Sequence, residues 1–215
     1  TPKIYGKSVY KEINIANNNN RIEYDGRYYY LYKIKSSDAK ALQIYFKKYH
    51  LSAEAKLFFY SENGFIIGEF NDKNNPEQEA KGLDFGTQPI PGNTFYIELS
   101  YPISAVVKPE LIAEKIIHST TDFYSGAYGE AGNCHKNVAC DFTGTNDKSR
   151  NIKSVGLMLY PIYKYGVKQS TYSATCSGNL MNNTKQDGTP YFLTAGHCIG
   201  YTAANNNINW STELI

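Results

Sequence analysis

The stretch Thr94-Phe-Tyr-Ile-Glu-Leu-Ser-Tyr101 carries the clearest structural signal in this chain of 215 residues. Phe95, Ile97 and Leu99 lie at every second position, and this period of two is typical of a strand with one buried face. Shorter segments of the same kind lie upstream, separated by turn signals. The pattern predicts an all-β chain whose residues 1–125 form an antiparallel β-sandwich.

The other strands of the sandwich are predicted from runs of aromatic and β-branched residues, at 27–35, 41–46, 55–60, 65–70 and 85–87. Ser61-Glu-Asn-Gly64 is a turn signal and predicts a hairpin over residues 57–70. The segment 89–92 is predicted as a turn, and the four asparagines at 17–20 as an exposed turn. For residues 109–117 a short helix, with Pro109 in its first turn, and a strand are equally compatible with the sequence.

Composition excludes several classes of protein. Hydrophobic residues make up 41% and aromatic residues 14% of the chain, enough for a core, and 20 residues are tyrosine. The net charge is only +2, from 22 basic and 20 acidic residues, so we predict no nucleic-acid partner. No run approaches the roughly 20 apolar residues of a membrane span, and Thr1 begins no signal-peptide pattern. We expect no membrane association.

The chain divides near residue 125. Residues 126–132 are small and polar and are predicted to be a linker and processing region. All four cysteines lie in the part that follows, residues 133–215. They form no pair of C-x-x-C motifs, and Cys134-His135 with Cys140 has poor spacing for a zinc finger. We therefore predict no metal and no cofactor, and a disulfide framework in a secreted protein instead.

The stretch Tyr191-Phe-Leu-Thr-Ala-Gly-His-Cys198 is the strongest candidate for a functional site. Its apolar, β-prone start predicts a buried strand that ends at His197, and Cys176-Ser-Gly-Asn-Leu lies just upstream. The runs 152–160, 172–180 and 191–195 are predicted to be the first strands of a β-barrel. The three other histidines are expected to be structural or solvent-exposed; they are His50, His118 and His135.

Several of these motifs together resemble the start of the catalytic domain of the lysyl endopeptidase family, which are secreted bacterial serine proteases with a chymotrypsin-like fold. The similar stretches are Asn133-Cys-His-Lys-Asn-Val-Ala-Cys140, Ile152-Lys-Ser-Val-Gly156, Cys176-Ser-Gly-Asn-Leu-Met-Asn-Asn-Thr184, Tyr191-Phe-Leu-Thr-Ala-Gly-His-Cys198 and Asn209-Trp210. The family usually has histidine where this chain has Gly196. Residues 1–125 resemble the family's propeptides more loosely.

The resemblance implies that His197 is the general base of a catalytic triad and that Cys176 pairs with Cys198. It implies partners beyond Ile215 for Cys134 and Cys140, unless these two pair with each other. Triad chemistry also needs an aspartate and a nucleophilic serine, which follow the histidine in this fold. We expect neither in this sequence, so the chain is expected to be an inactive part of a precursor. Its partners would be a peptide or protein substrate and a second chain supplying the rest of the protease domain.

Two other interpretations remain open. The sandwich could be a non-catalytic module that binds carbohydrate or protein, attached to a protease-like remnant. Tyr28, Tyr29 and Tyr30 could then line a ligand face, although packing within the sheet explains them equally simply. A metal-binding or redox protein would need ligands converging near Cys134, His135 and Cys140, and it is the weakest of the three.

Overall fold

The computed structural model describes residues 3–17, 19, 21–75, 85–124, 149–164, 167–189 and 191–199. Strands dominate these residues, and every paired strand runs antiparallel to its neighbour. The all-β, antiparallel fold class predicted from the sequence is confirmed. Among the described residues, no helix combines the length and the apolar character that crossing a membrane requires.

Thirteen strands are found within the described residues. They are β1 (Lys3–Asn14), β2 (Arg21–Tyr24), β3 (Arg27–Lys35), β4 (Ala41–His50), β5 (Lys56–Ser61), β6 (Ile66–Phe70), β7 (Phe85–Gly86), β8 (Ile90–Pro91), β9 (Thr94–Pro102), β10 (Glu110–Ser119), β11 (Val155–Lys164), β12 (Val167–Met181) and β13 (Tyr191–Thr194). One α-helix, α1 (Ser149–Ser154), precedes β11. A 3-10 turn over Asp72–Asn74 follows β6.

The strands form two sheets. Sheet A has the order β11-β12-β1-β10-β4-β7, with β13 also paired to β12 and β8 also paired to β4. Sheet B has the order β2-β3-β9-β5-β6. In sheet A, β1 joins β10 on one side to β12 on the other. The strands that follow residue 149 therefore continue the same sheet that contains β1, β10 and β4.

Sheets A and B pack face to face over the main core. Ile44 and Phe46 of β4 are fully buried and point towards sheet B, where Phe46 meets Phe59 with ring centroids 6.2 Å apart. Leu57 and Leu99 contribute the opposing side of this core. Burial of such side chains stabilises a sandwich by roughly 1.5–3 kcal/mol each.

The tyrosines of sheet B contribute to this packing. Tyr30 is buried and stacks on Tyr101 with centroids 5.8 Å apart, and the two hydroxyls lie 3.0 Å from each other. A second ring contact, at 5.5 Å, places Tyr28 edge-on against Tyr101. Burial raises the pKa of the Tyr101 phenol, and its hydrogen bond with Tyr30 acts in the same direction.

A second, smaller core lies on the outer face of sheet A, away from sheet B. It contains the buried residues Tyr5, Tyr45, Ile117 and Leu159, with Phe123 packed edge-on against Tyr5. Neighbours in β4 and β10 alternate between the two cores, since Ile44 and Ile116 belong to the first.

Most strands lie where the sequence places them. The predicted strand 27–35 coincides with β3, and the hairpin over 57–70 is formed by β5 and β6. Residues 110–119 form β10, which decides the open alternative between helix and strand in favour of the strand. The division of the chain at residue 125 stays a prediction, and the linker 126–132 lies outside the described residues.

Two local predictions differ from the structure. Ile90 and Pro91, predicted within a turn, form β8 and pair with β4; proline is tolerated there because β8 is a short strand paired only to β4 among the described residues. The turn follows at Gly92, whose φ of 95° suits glycine. Residues 152–154, predicted as strand, belong to α1, and β11 begins at Val155.

Truncating the core should destabilise the fold far more than truncating its surface. Leu57→Ala removes a fully buried side chain between the sheets, and we expect the free energy of unfolding to fall by about 2–5 kcal/mol. Leu31→Ala, in the same sheet at a position 47% exposed, should change it by less than about 1 kcal/mol. Urea unfolding followed by circular dichroism measures both. Equal losses would contradict the packing of sheet A on sheet B.

Candidate active site

Three strands build the platform beneath His197. β12 pairs with β11 from Asn179 back to Val167, and with β13 from Gly178 to Met181. β13 ends at Thr194, whose hydroxyl donates a 2.9 Å hydrogen bond to the carbonyl of Ser177. The end of β13 is therefore held to β12 by its backbone and by a side chain.

His197 lies in a single 3-10 turn, Gly196–Ile199, directly after β13. The turn is closed by a 2.9 Å hydrogen bond from the Cys198 N–H to the Ala195 carbonyl. Cys198 is buried and forms a disulfide with Cys176 of β12, with their Cα atoms 5.9 Å apart. The His197 side chain is exposed. The disulfide thus anchors the turn, and the imidazole remains accessible from solvent.

The surroundings of His197 do not suit a metal ion. Its ring nitrogen and the sulfur atoms of Cys176 and Cys198 lie within 4.8 Å of one another. The two sulfurs are bonded to each other, however, and a metal requires free thiolates. Within the described residues, no hydrogen bond or ion pair joins the imidazole to a carboxylate or a hydroxyl. The described residues therefore offer an exposed imidazole without a carboxylate or hydroxyl partner.

A shallow hollow of about 360 Å³ lies beside this turn. Ala195, Thr194 and Leu193 line it from the β13 side, and Ser177 and Asn179 line it from β12. Its lining mixes the polar residues Ser177, Asn179 and Thr194 with apolar residues such as Leu193. Ala195, one of its lining residues, lies two positions before His197 in the sequence.

Gly178 explains part of the Cys-Ser-Gly motif. A Cβ atom at this position would overlap the ring of Phe192 and the carbonyl oxygen of Leu193. Gly156 of β11 pairs with Gly178, and a Cβ atom there would also crowd the Phe192 ring. The two glycines therefore leave room for the Phe192 ring against β11 and β12. This packing accompanies the pairing of β13 with β12.

The prediction that residues 191–194 form a buried strand is wrong in one respect. The strand is present, but Tyr191 and Leu193 are more than half exposed, and Phe192 is 38% exposed. Leu180 and Met181 of the neighbouring strand are also exposed. The physical reason is that no described element packs over β13, which pairs only with β12 among the described residues. These strands likewise do not close a barrel within the described part of the chain.

The loop between β12 and β13 is organised by Asp187, which the sequence interpretation did not identify. Its carboxylate accepts hydrogen bonds from the Asn183 side chain, at 2.6 Å, and from the Thr189 N–H, at 3.0 Å. Hydrogen bonding by Thr189 and then by Asn183 lowers the pKa of Asp187 to about 2. The spacing Asn183-x3-Asp187 in a polar loop is the signal from which this could have been predicted.

The remaining predicted residues lie away from His197 or outside the description. The Nδ1 atom of His118 lies 2.9 Å from the Ser36 hydroxyl in the sandwich, a structural role. His50 lines a separate hollow of about 620 Å³ at one end of the sandwich, with Glu54 and Val106. Cys134, His135 and Cys140 lie outside the described residues, so their expected pairings stay predictions.

The tyrosines proposed as a ligand face are mostly engaged in packing. Tyr30 is buried, and Tyr28 contacts both Tyr101 and the guanidinium of Arg21, which lies 4.4 Å from the Tyr28 ring centroid. Tyr29 lies beside Tyr24, with centroids 6.4 Å apart. These contacts account for the three rings without a ligand.

Comparison with known proteins adds a family relationship to this geometry. Residues 128–214 match the family described as "Lysyl endopeptidase, C-terminal domain", a match that includes β11, β12, β13 and the His197 turn. The chain is therefore related to proteases. The similarity to the lysyl endopeptidase family covers this segment of the chain. A comparison with solved structures finds no match.

Removing the disulfide should loosen the His197 turn. In the chain-entropy description, a bridge that closes a loop of 22 residues stabilises a protein by about 3 kcal/mol. We expect the Cys176→Ser, Cys198→Ser double variant to lose a comparable free energy of unfolding for this segment, measured by urea titration. Non-reducing peptide mass spectrometry should first find the Cys176–Cys198 peptide in the parent protein. Its absence would contradict the pairing.

The Asp187 carboxylate should titrate unusually low. Because its folded pKa is lowered, the ionised form favours the ordered loop above the ordinary aspartate pKa of about 3.9, and this contribution is lost as pH falls through about 2. A carbon-detected NMR titration should give a midpoint near 2. In Asn183→Ala, which removes one donor, the midpoint should rise. The same midpoint in both proteins would contradict the network.

Proposed function

We propose that this chain is the N-terminal part of a secreted serine endopeptidase precursor, in which His197 is the general base. The observation that carries the proposal is the exposed imidazole on a disulfide-anchored turn, at the end of a strand, within the segment that matches the lysyl endopeptidase family. A general base must be rigidly placed yet open to substrate, and this turn meets both conditions.

The proposed reaction assigns His197 two proton transfers. In the first, one imidazole nitrogen accepts the proton of a serine hydroxyl as the serine oxygen attacks the peptide carbonyl. The protonated imidazole then donates that proton to the leaving amine, and an acyl-enzyme remains. Water attacks the acyl-enzyme by the same route and restores the serine. The serine, and the aspartate that orients the imidazole, would be supplied by residues outside this sequence.

Exposed apolar side chains on the strands that precede His197 support the proposal that further residues of the protease domain complete the site. Met181, Tyr191 and Leu193 share one face of β12 and β13 and are each about half exposed. A cluster of this size on neighbouring strands commonly marks a surface that packs against more protein. We propose that the remainder of the protease domain covers it and so closes the active-site cleft over the hollow beside Ala195.

The name of the family supports a finer proposal, cleavage after lysine. The groups that would bind a lysine side chain are proposed to lie outside this sequence, as do the nucleophile and the oxyanion donors. The disulfide supports passage through an oxidising compartment, and therefore secretion. Residues 1–125 would be the propeptide, separated from the protease segment by a cut of the chain within 126–132.

Replacing His197 should abolish peptidase activity. In the full-length precursor after maturation, we expect His197→Ala to lower kcat for a peptide amide ending in lysine by about 10⁶-fold, with little change in KM. His135→Ala, which removes the same side chain from the family-matched segment, serves as the matched control and should leave kcat unchanged. The measurement is release of a fluorescent amine from the lysyl amide.

Retention of activity in the His197 variant would overturn the assignment of the base. Activity towards arginyl amides equal to that towards lysyl amides would overturn only the specificity. Sequencing the natural reading frame downstream of the Ile215 codon provides a separate test: we expect an aspartate and a Gly-Asp-Ser-Gly motif there. A stop codon at that place would overturn the proposal and favour the binding-module alternative.

A further inference from the structure

Strand β1 connects the N-terminal sandwich to the family-matched segment. Four backbone positions of β1 pair with β12; the pairs are Lys3 with Thr175, Ile4 with Ala174, Gly6 with Ser173 and Lys7 with Tyr172. On its other side, β1 pairs with β10 from Gly6 onward, so it is an integral strand of the sandwich. The sandwich therefore presents a strand edge to which β12 has been added, in the manner of β-augmentation.

Buried side chains reinforce this backbone pairing. Leu159 of β11 is 5% exposed and packs against Tyr5, Tyr45 and Ile117, all from the sandwich. Ser173 of β12 is 2% exposed and its hydroxyl hydrogen-bonds with the Tyr5 phenol. The Tyr5 hydroxyl in turn donates a 2.6 Å hydrogen bond to the Gln43 side chain, which is also buried. The contact thus has an apolar centre and buried polar groups joined by hydrogen bonds.

The contact between β1 and β12 lies next to the segment that holds the His197 turn. β1 and β13 occupy the same edge of β12, end to end: β1 covers Tyr172–Thr175, and β13 covers Gly178–Met181. The two residues between them are Cys176, whose disulfide holds the His197 turn, and Ser177, which accepts the hydrogen bond from Thr194. Without β1, the edge of β12 immediately before Cys176 would lose its backbone partner.

We propose that the sandwich is a docking partner for the segment β11–β13, and that the two remain associated as a noncovalent complex after the chain between them is cut. The inference rests on the proposed function only for the idea that such a cut occurs during maturation. The occupant of the β1 edge is residues 172–175 of this same chain. The sandwich would thereby keep β12 in the register that positions the disulfide and the histidine turn.

The test uses the full chain with a recognition sequence for a specific protease inserted between Gly129 and Glu130. After complete cutting in native buffer with the disulfide intact, we expect both pieces to sediment as one 1:1 species in an ultracentrifuge dilution series. Separation of the pieces at micromolar concentration, with the β-sheet circular dichroism signal retained, would overturn the proposal.

Two leucines of β11 provide a matched pair of variants. Leu159→Ala removes the side chain that packs into the sandwich, and we expect it to raise the dissociation constant of the nicked complex by about 30-fold or more. Leu157→Ala changes a position 51% exposed and should leave the constant unchanged. Equal effects of the two variants would contradict the interface.

A gentler variant covers the case in which Leu159→Ala does not fold. Tyr5→Phe keeps the ring but removes the hydroxyl shared by Ser173 and Gln43, and we expect a several-fold weaker complex. In hydrogen-exchange mass spectrometry, the peptide spanning residues 172–175 should be protected in the parent nicked complex and exchange faster in Tyr5→Phe. Equal exchange in both would count against the proposal. None of these readouts requires catalysis, so they are independent of the His197 test.

Discussion

Strand β4 is buried on both faces along most of its length, and the rest of the structure depends on that burial. Leu42, Ile44 and Phe46 face sheet B, while Tyr45 faces the opposite side. A strand buried on both sides forces its neighbours to carry apolar residues in two directions, which β10 also does with Ile116 and Ile117. One face of these strands packs into the core between the sheets, and the other face contacts Leu159. The family-matched strands are therefore attached to a sheet in which β4 and β10 bury residues on both faces.

The sequence was most informative where a strand has one clear apolar face or a well-formed turn. β3 and β9 carry dense aromatic and β-branched residues, and the hairpin of β5 and β6 has the Asn-Gly turn that such hairpins favour. β1 was not predicted, because Ile4, Val9 and Tyr10 are each about half exposed and the strand has no continuous buried face. Its place is determined by backbone pairing with β10 and β12, and backbone pairing leaves almost no trace in side-chain pattern.

The candidate site divides in the same way. The position of His197 just after a strand and the Cys176–Cys198 pair were predictable, because the cysteine, strand and histidine motifs occur together in one short region. The low exposure expected for residues 191–194 was not observed, since burial depends on which elements cover a strand and not on its own composition. The Asp187 loop was missed because its order comes from polar side chains binding the backbone, a signal that hydrophobic periodicity does not contain.

The pairing of Lys3 with Thr175 also has a consequence for how the protein is made. Strand β1 must wait for β12, which is synthesised much later, before its outer edge is paired. Contacts between such distant parts of a chain form slowly, because a large loop must close first. During translation that edge would be exposed to other nascent chains, and unpaired edges are where aggregation begins. Ile4 and Tyr10, half exposed in the finished protein, are interspersed with Lys3, Lys7 and Lys11, and lysines on an open edge discourage such pairing. The charges on this strand would then protect the newly synthesised protein until residues 172–175 arrive.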